Sequence, residues 1–386
     1  MSLLTLAPPS LRTLSYMVLA LASFATAISL SRRISSSRRV LRGRIFSSLT
    51  DLRLLYLCIG TLVLTVFLGL LGLEVGEYPI PRFEAIKTAL WDRGGEFDFV
   101  VNSLRFPRVV VALLAGFCLA SSGALFQSLL GNPLVSPDVI GINSGAALCA
   151  VFVLTVGADL SALPWAAFVG AVLTAVLIYL LAWKRGVSGS RLVLIGIGIN
   201  ALLGSGITYL MVKYPIERVV AAARWQVGSL FGSSWADVRI LGFGVLIITP
   251  LALFLVPKLR LLQLGDELAA GLGSRVEVER MAIIVVASAY AAIAVAVIGP
   301  LGFVALLVPH MVRLIVGSLT GGAFLLTGLV GALFLLGCDL IAQQLFAPTT
   351  LPVGVVTAAL GGPYFLFILV RYNRCLLYTS PSPRDS

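Results

Sequence analysis

Ten apolar runs constrain this chain more than any single residue in it. They lie at about 54–73, 108–130, 140–158, 163–183, 192–212, 238–257, 280–299, 302–317, 323–345 and 352–370. Each approaches the about 20 residues that a helix needs to cross the hydrocarbon core of a bilayer. The connections between them leave no room for a sizeable domain outside the membrane. Composition agrees: of 386 residues, 59% are hydrophobic and 12% charged, against about 25% charged in a soluble domain. No soluble fold withdraws that much apolar surface from water. Disorder, collagen, a secreted disulfide scaffold and an ordinary cytosolic enzyme are excluded. What remains is an all-α polytopic membrane protein with about ten transmembrane helices.

The net charge of +11 reads as topology before it reads as nucleic-acid binding. If the first run starts from the cytoplasm, eighteen Lys and Arg fall on that side, from the Arg32–Arg44 cluster to Arg384, and nine fall outside. Positive residues concentrate in cytoplasmic loops, so both termini are expected there, in a multi-pass protein of a bacterial plasma (inner) membrane. Membrane lipid is then a partner, and nucleic acid is not expected. The five cysteines show no CxxC spacing, and His310 is the single histidine, so neither a metal site nor a cofactor is expected.

Both ends depart from this pattern. Leu14–Leu30 is a further apolar stretch, marginal for a span, with Ala25-Thr26-Ala27 resembling a signal-peptidase site. An eleventh helix, a signal segment and an upstream extension from a misplaced start compete there; the last is favoured, because a basic stretch follows. Cys375–Ser386 is Ser/Pro-rich and breaks the membrane pattern. The expected organisation is an N-terminal extension and basic segment over 1–50, a transmembrane domain over 51–372, and an artefactual or disordered tail over 373–386.

Chemistry is conspicuous by what is missing. The chain has no GxxxxGK[ST], HExxH or GxSxG, and no pair of carboxylates at helical spacing inside a run. Ion-coupled transporters keep ionisable residues in the membrane because a buried charge is costly. Here the clear candidates are Asp339 and His310, without a charged partner nearby in sequence, and local satisfaction by backbone or water is expected for both. A transport role is compatible with this only if another subunit supplies the energy.

Three segments are not explained by hydrophobicity. Arg105 and Arg108, in LRFPR, stand at i and i+3 on the outer rim and suit a bidentate clamp for carboxylates of a docking partner; lipid-phosphate anchoring is the alternative. The segment 258–280 (KLRLLQLGDELAAGLGSRVEVER) is the longest polar stretch on the cytoplasmic face. Within it Leu262, Leu264, Leu268 and Leu272 are spaced for a short amphipathic helix ended by Gly271 and Gly273. It reads as a surface connector or a docking element. Finally, Pro and Gly cluster at 299–309, 351–356 and 361–363; helix breaks at that depth must be buried in protein or line a cavity.

In order, LRFPRVVVALLAGFCLASSGALFQSLLGNPLVSPDVIGINSGAAL, LLQLGDELAAGLG, GPLGFVALLVPHMVRLIVG and LPVGVVTAALGGPYF resemble the permease subunits of ABC importers for iron–siderophores, haem and vitamin B12, the FecCD-type family. The match covers about residues 50–372. The resemblance implies a type II ABC importer permease fold of ten spans, pairing with a second permease subunit as homo- or heterodimer, with the translocation path between them. A cytoplasmic ABC ATPase dimer would dock on coupling helices mapping to about Leu261–Ser274, so that Leu261, Leu264, Gly265, Asp266, Glu267, Leu272 and Gly273 carry the coupling. A periplasmic or lipid-anchored binding protein would dock on Arg105 and Arg108; a third docking arginine of the family is Gln343 here. The cytoplasmic gate maps onto Val187-Ser188-Gly189-Ser190. No catalysis is implied for this subunit. An ion-driven secondary transporter and an intramembrane enzyme are the competing readings, disfavoured by the missing carboxylates and nucleophiles.

Overall fold

The computed structural model describes residues 38–42, 47–76, 78, 80–91, 94–184, 189–347 and 349–377. The stretch 14–30 and residues 378–386 of the tail lie outside them. A short antiparallel hairpin comes first, β1 (Arg38–Arg42) with β2 (Ser47–Asp51), in the register Arg38 to Asp51. The elements that follow are helices: α1 (Leu52–Glu74), α2 (Arg82–Leu90), α3 (Phe106–Leu130), α4 (Pro137–Ile140), α5 (Ile142–Val156), α6 (Leu163–Ala182) and α7 (Gly189–Lys213). Then come α8 (Ile216–Gln226), α9 (Trp235–Leu262), α10 (Asp266–Gly271), α11 (Val276–Ile298), α12 (Val304–Val316), α13 (Gly321–Gln344) and α14 (Val353–Leu377). A π-helix over Phe99–Arg105 extends α3 at its start.

Among the described residues seven helices are long and apolar enough to cross a membrane, and three apolar helices are shorter: Ile142–Val156, Val304–Val316 and Val353–Ile368. Together they account for the ten expected runs, and the chain is a multi-pass membrane protein. Helix directions alternate, so α2 and α8 lie at one end of the bundle and α4 and α10 at the other. α9 runs five residues past its expected end. It carries Pro250 and Pro257 inside yet continues to Leu262, because membrane helices tolerate proline where neighbours re-satisfy the freed backbone groups.

α3 is the centre of the packing, with α11, α12 and α13 around it. Lipid is as apolar as leucine, so close backbone approach and interhelical hydrogen bonds hold such helices together. A Cβ on Gly116 would lie 2.3 Å from Gly331 O of α13, and one on Gly123 only 1.8 Å from Ala305 O of α12. Ser122 Oγ donates to Ala287 O at 2.7 Å and Gln127 Nε2 to Leu306 O at 2.9 Å. Tyr290, fully buried, donates to Thr249 Oγ1 at 2.8 Å.

The expected helix break after α11 is present. Residues 299–303 are not helical, and Phe303 (φ 69) is the one non-glycine residue in the left-handed region among those described. Its neighbours fix it: Leu301 is fully buried, and a Cβ on Gly361 would lie 2.2 Å from Phe303 Cβ. The freed backbone is buried in protein, with Ser229 N donating to Ile298 O at 2.9 Å and Gly354 N to Gly228 O at 3.3 Å. The Pro/Gly clusters at 299–303 and 351–354 therefore meet the turn after α8 in one joint.

Candidate functional site

At the α10 end, the chain leaves α9 at Leu262 and turns through Leu264 and Gly265 into α10. Gly265 (φ 100) and Gly273 (φ 87) occupy backbone conformations that a side chain would strain. They bracket the six-residue helix with two sharp reversals. Ala269 is fully buried and seats the helix on the bundle. Arg280 of α11 ties it down, with Nη2 2.6 Å from Asp266 Oδ1 and Nη1 3.0 Å from Glu277 Oε1. Around this clasp Lys258 Nζ lies 3.5 Å from Glu279 Oε1, the Ser274 hydroxyl donates to Glu279, and Gln263 Nε2 donates to Ser128 O at 3.0 Å.

The leucine stripe is split. Leu262 is buried at the end of α9, whereas Leu264, Leu268 and Leu272, four residues apart, are each more than half exposed. The amphipathic helix expected from spacing is therefore inverted for a surface connector: polar side chains hold it and leucines face away. Leucines presented on a short, clamped helix (Leu268) and the turns at its two ends (Leu264, Leu272) suit a protein interface.

At the opposite end the arginines depart from expectation. Arg105 is buried, 8% exposed, and its Nη1 donates to Leu73 O at 2.9 Å and Glu74 O at 3.0 Å, while Nη2 donates to Tyr78 O. The first two are among the last carbonyls of α1, which have no partner within the helix. Arg108 makes the bidentate fork that was expected, but with the chain's own Asp339. Nε lies 2.9 Å from Oδ2 and Nη2 2.8 Å from Oδ1, across 231 positions of sequence. Gln343 Nε2 donates to the same Oδ2 at 2.8 Å. Asp339 is thus met by a cation distant in sequence and by Gln343 one turn away, and neither guanidinium is presented as a free surface handle. Packing distant in sequence makes both contacts.

The same device recurs. Arg218 Nη1 donates to Thr155 O and Val156 O, each at 3.0 Å, at the end of α5. Arg53 Nη2 reaches Ile315 O of α12 at 3.1 Å, and Arg191 Nη1 reaches Ala182 O of α6 at 3.1 Å. A guanidinium there satisfies orphan carbonyls and meets the negative end of the helix dipole. Sequence reasoning missed this use, because nothing local distinguishes such an arginine from a solvated one.

Of the expected gate, Val187 and Ser188 lie outside the described residues. Gly189 and Ser190 open α7, and a Cβ on Gly189 would lie 3.0 Å from Leu130 Cδ2, at the end of α3. About three turns further along α7, at Asn200, a polar joint holds the turn before α5. Asn143 donates to the Asp138 carboxylate, Ser144 to Asn200 Oδ1, and Asn200 Nδ2 to Asp138 O at 3.4 Å. Burial raises the Asp138 carboxyl above the ordinary carboxylate range, and the Asn143 amide offsets part of that. A lone Asn in an apolar run was the available signal.

Beyond this joint α7 shows an open face. Leu194, Ile197, Tyr209 and Val212 are exposed, as are Leu360, Leu366, Phe367 and Val370 of α14. Gly198 lies on that face of α7, and a Cβ there would meet nothing within 4 Å. Among the described residues no group of three or more His, Cys, Asp or Glu is placed to hold a metal ion.

Comparison with known proteins converges on one group. Residues 64–371 match the FecCD transport family. The ferric enterobactin transport system permease protein FepG of Escherichia coli (strain K12) is 41% identical, over 83% of this chain and 98% of its own length. The Fe(3+)-citrate import system permease protein YfmE of Bacillus subtilis (strain 168) is 38% identical over 80% and 92%, and the hemin transport system permease protein HmuU of Yersinia pestis 37% over 70% and 82%. Among solved structures, a metal-chelate type ABC transporter in an inward-facing conformation superimposes with a TM-score of 0.73 at 27% identity, covering 82% of this chain and 99% of that one. With ten apolar helices, a clamped α10 and relatives matched over most of their length, the chain belongs to the FecCD transport family, as a permease of the ABC importer type.

Proposed function

We propose that this chain is one of two permease subunits of an ATP-driven importer for an iron(III)–siderophore or a related metal chelate. A cytoplasmic ABC ATPase dimer docks on α10, so the α10 end is the cytoplasmic one and both termini lie there. A periplasmic or lipid-anchored binding protein delivers the chelate at the α8 end. The second permease, identical or paralogous, covers the exposed face of α7 and α14, and the path runs between the two subunits past Gly189 and Ser190. ATP-driven closure of the ATPase pair pushes α10, whose clasp through Asp266 and Arg280 passes the movement to α11. The subunit contributes a packing with two arrangements that its partners bias.

The observation that carries this reading is the exposed Leu264, Leu268 and Leu272 on and beside a helix held by Ala269 and Arg280. It gives a protein partner a rigid apolar grip at the end of the bundle. Co-purification tests it: with Leu264, Leu268 and Leu272 replaced by Glu, the permease should keep its thermal midpoint in detergent and lose its cognate ATPase. Full retention of the ATPase would overturn the assignment.

Arg105 and Arg108 retain a role in delivery as positioning residues, fixing the rim on which the binding protein sits. Direct docking through Arg108 would require its release from Asp339. Asp339→Asn should therefore lower docking affinity if Arg108 positions the rim through Asp339, and raise it if Arg108 is the handle. The iron(III)–siderophore assignment is supported by the ferric enterobactin and iron citrate relatives, and the hemin relative supports haem as the second reading, with vitamin B12 behind it. Uptake of radiolabelled ferric siderophore in competition with haem and cobalamin separates the three.

A further inference from the structure

A cavity of about 350 Å³ lies between α1, α2, α3, α9 and α13, far from α10 and from the start of α7. It extends along α1 from Leu62 to Leu73 and along α3 from Phe106 to Phe117, and Ile86 and Leu90 of α2 close it at the α8 end. Its single polar side chain, Thr65, is already satisfied by Thr61 O at 2.8 Å. Water needs two to four polar partners to stay in such a space, and the lining offers none. Leu62, Val66 and Leu70 line the cavity and are also exposed on the outside of α1, so it opens sideways, toward the bilayer.

Dimensions and charge both point to an acyl chain. The twelve residues Leu62–Leu73 of α1 rise about 16 Å, which is half of the about 30 Å hydrocarbon core. At the closed end Lys87 follows Ile86 on α2, half exposed, with its Nζ 3.8 Å from Glu84 Oε2. Trp91 is exposed beside Leu90, and Trp235 packs edge-on against Phe106 with ring centroids 5.4 Å apart while donating to Asn102 O. Tryptophans of this kind mark the headgroup level of a membrane. We propose that the cavity holds one acyl chain of a phospholipid from the leaflet at the α8 end, with the lipid phosphate beside Lys87. The occupant fills the gap between α1 and α9 and makes the phospholipid a structural part of the subunit.

Retained lipid provides the test. The full chain is reconstituted in phosphatidylethanolamine and phosphatidylglycerol vesicles, re-extracted in mild detergent, and its bound phospholipid counted by native mass spectrometry. Val110→Trp fills the cavity from α3, and Leu70→Trp fills its mouth from the exposed side of α1, where the fold is least at risk. Expected is a tightly retained phospholipid on the wild type that is lost from whichever filled variant elutes as a monodisperse folded protein, and that Lys87→Glu sheds at lower detergent concentration. Equal retention in the wild type and a folded filled variant would overturn the proposal, as would a wild type carrying detergent alone.

Discussion

α3 and α7 are each 25 residues long, apolar and punctuated by glycine, yet their surroundings are opposite. The most apolar window of the span containing α3 is 78% buried and that of α7 22%. On α3 the glycines meet backbone: Gly116 faces Gly331 O and Gly123 faces Ala305 O. α7 is two-sided, with Gly196 set against Ile140 O at 2.7 Å from a built Cβ, and Gly198 open. Hydrophobicity and glycine spacing do not distinguish an internal span from one awaiting a partner. What distinguishes them is whether a neighbouring backbone stands where a Cβ would go.

Substitutions can break that contrast, in descending order of effect on stability. Gly123→Leu drives a side chain into the α12 backbone, and overpacking of this kind costs more than about 3 kcal/mol. It should abolish the monodisperse peak in size-exclusion chromatography; a folded Gly123→Leu protein would refute the α3–α12 contact. Asp339→Ala leaves Arg108 with an uncompensated charge, and breaking a buried pair costs about 3–5 kcal/mol. The partial exposure of Arg108 (17% of its side chain) places this at the lower end, read as a drop in the thermal midpoint. Replacing both members of the pair by apolar residues should recover much of it. Gln343→Ala removes one hydrogen bond to a charged group, about 1.5–3 kcal/mol, and falls at the lower end because Arg108 still holds Asp339; the midpoint should drop least of the three. Gly198→Leu should leave the midpoint of the isolated subunit unchanged and abolish pairing with the second permease in cross-linking across α7. A destabilised but still paired Gly198→Leu protein would mean that α7 is internal after all.

Much of the architecture was legible in the sequence because membrane spans are defined by length and apolarity, both local. The ten runs, the helix break at Gly299 and the end of the short helix at Gly273 follow from residues near in sequence, whereas the Pro/Gly clusters around Pro309 and Pro363 do not break α12 and α14, which carry those prolines inside. The uses of charge were not legible. An Arg reads the same whether it faces water, as supposed for Arg105, or satisfies the end of α1, as it does. Arg108 and Asp339 meet only because α3 and α13 pack side by side, a contact set by Gly116 and Gly331. An intramembrane carboxylate demands a counter-charge, and that demand was the signal available for Asp339. The leucines at and around α10 left a choice for a related reason: spacing predicts a shared face, but not whether it points into the bundle or toward another protein.

The central claim is that this subunit has no energy source of its own and is driven through α10. Uptake of ferric siderophore into proteoliposomes, with and without the co-reconstituted ATPase and binding protein, tests it most directly. The account predicts uptake that requires ATP, the ATPase and intact Leu264, Leu268 and Leu272. Uptake by the permease alone under an ion gradient would contradict it.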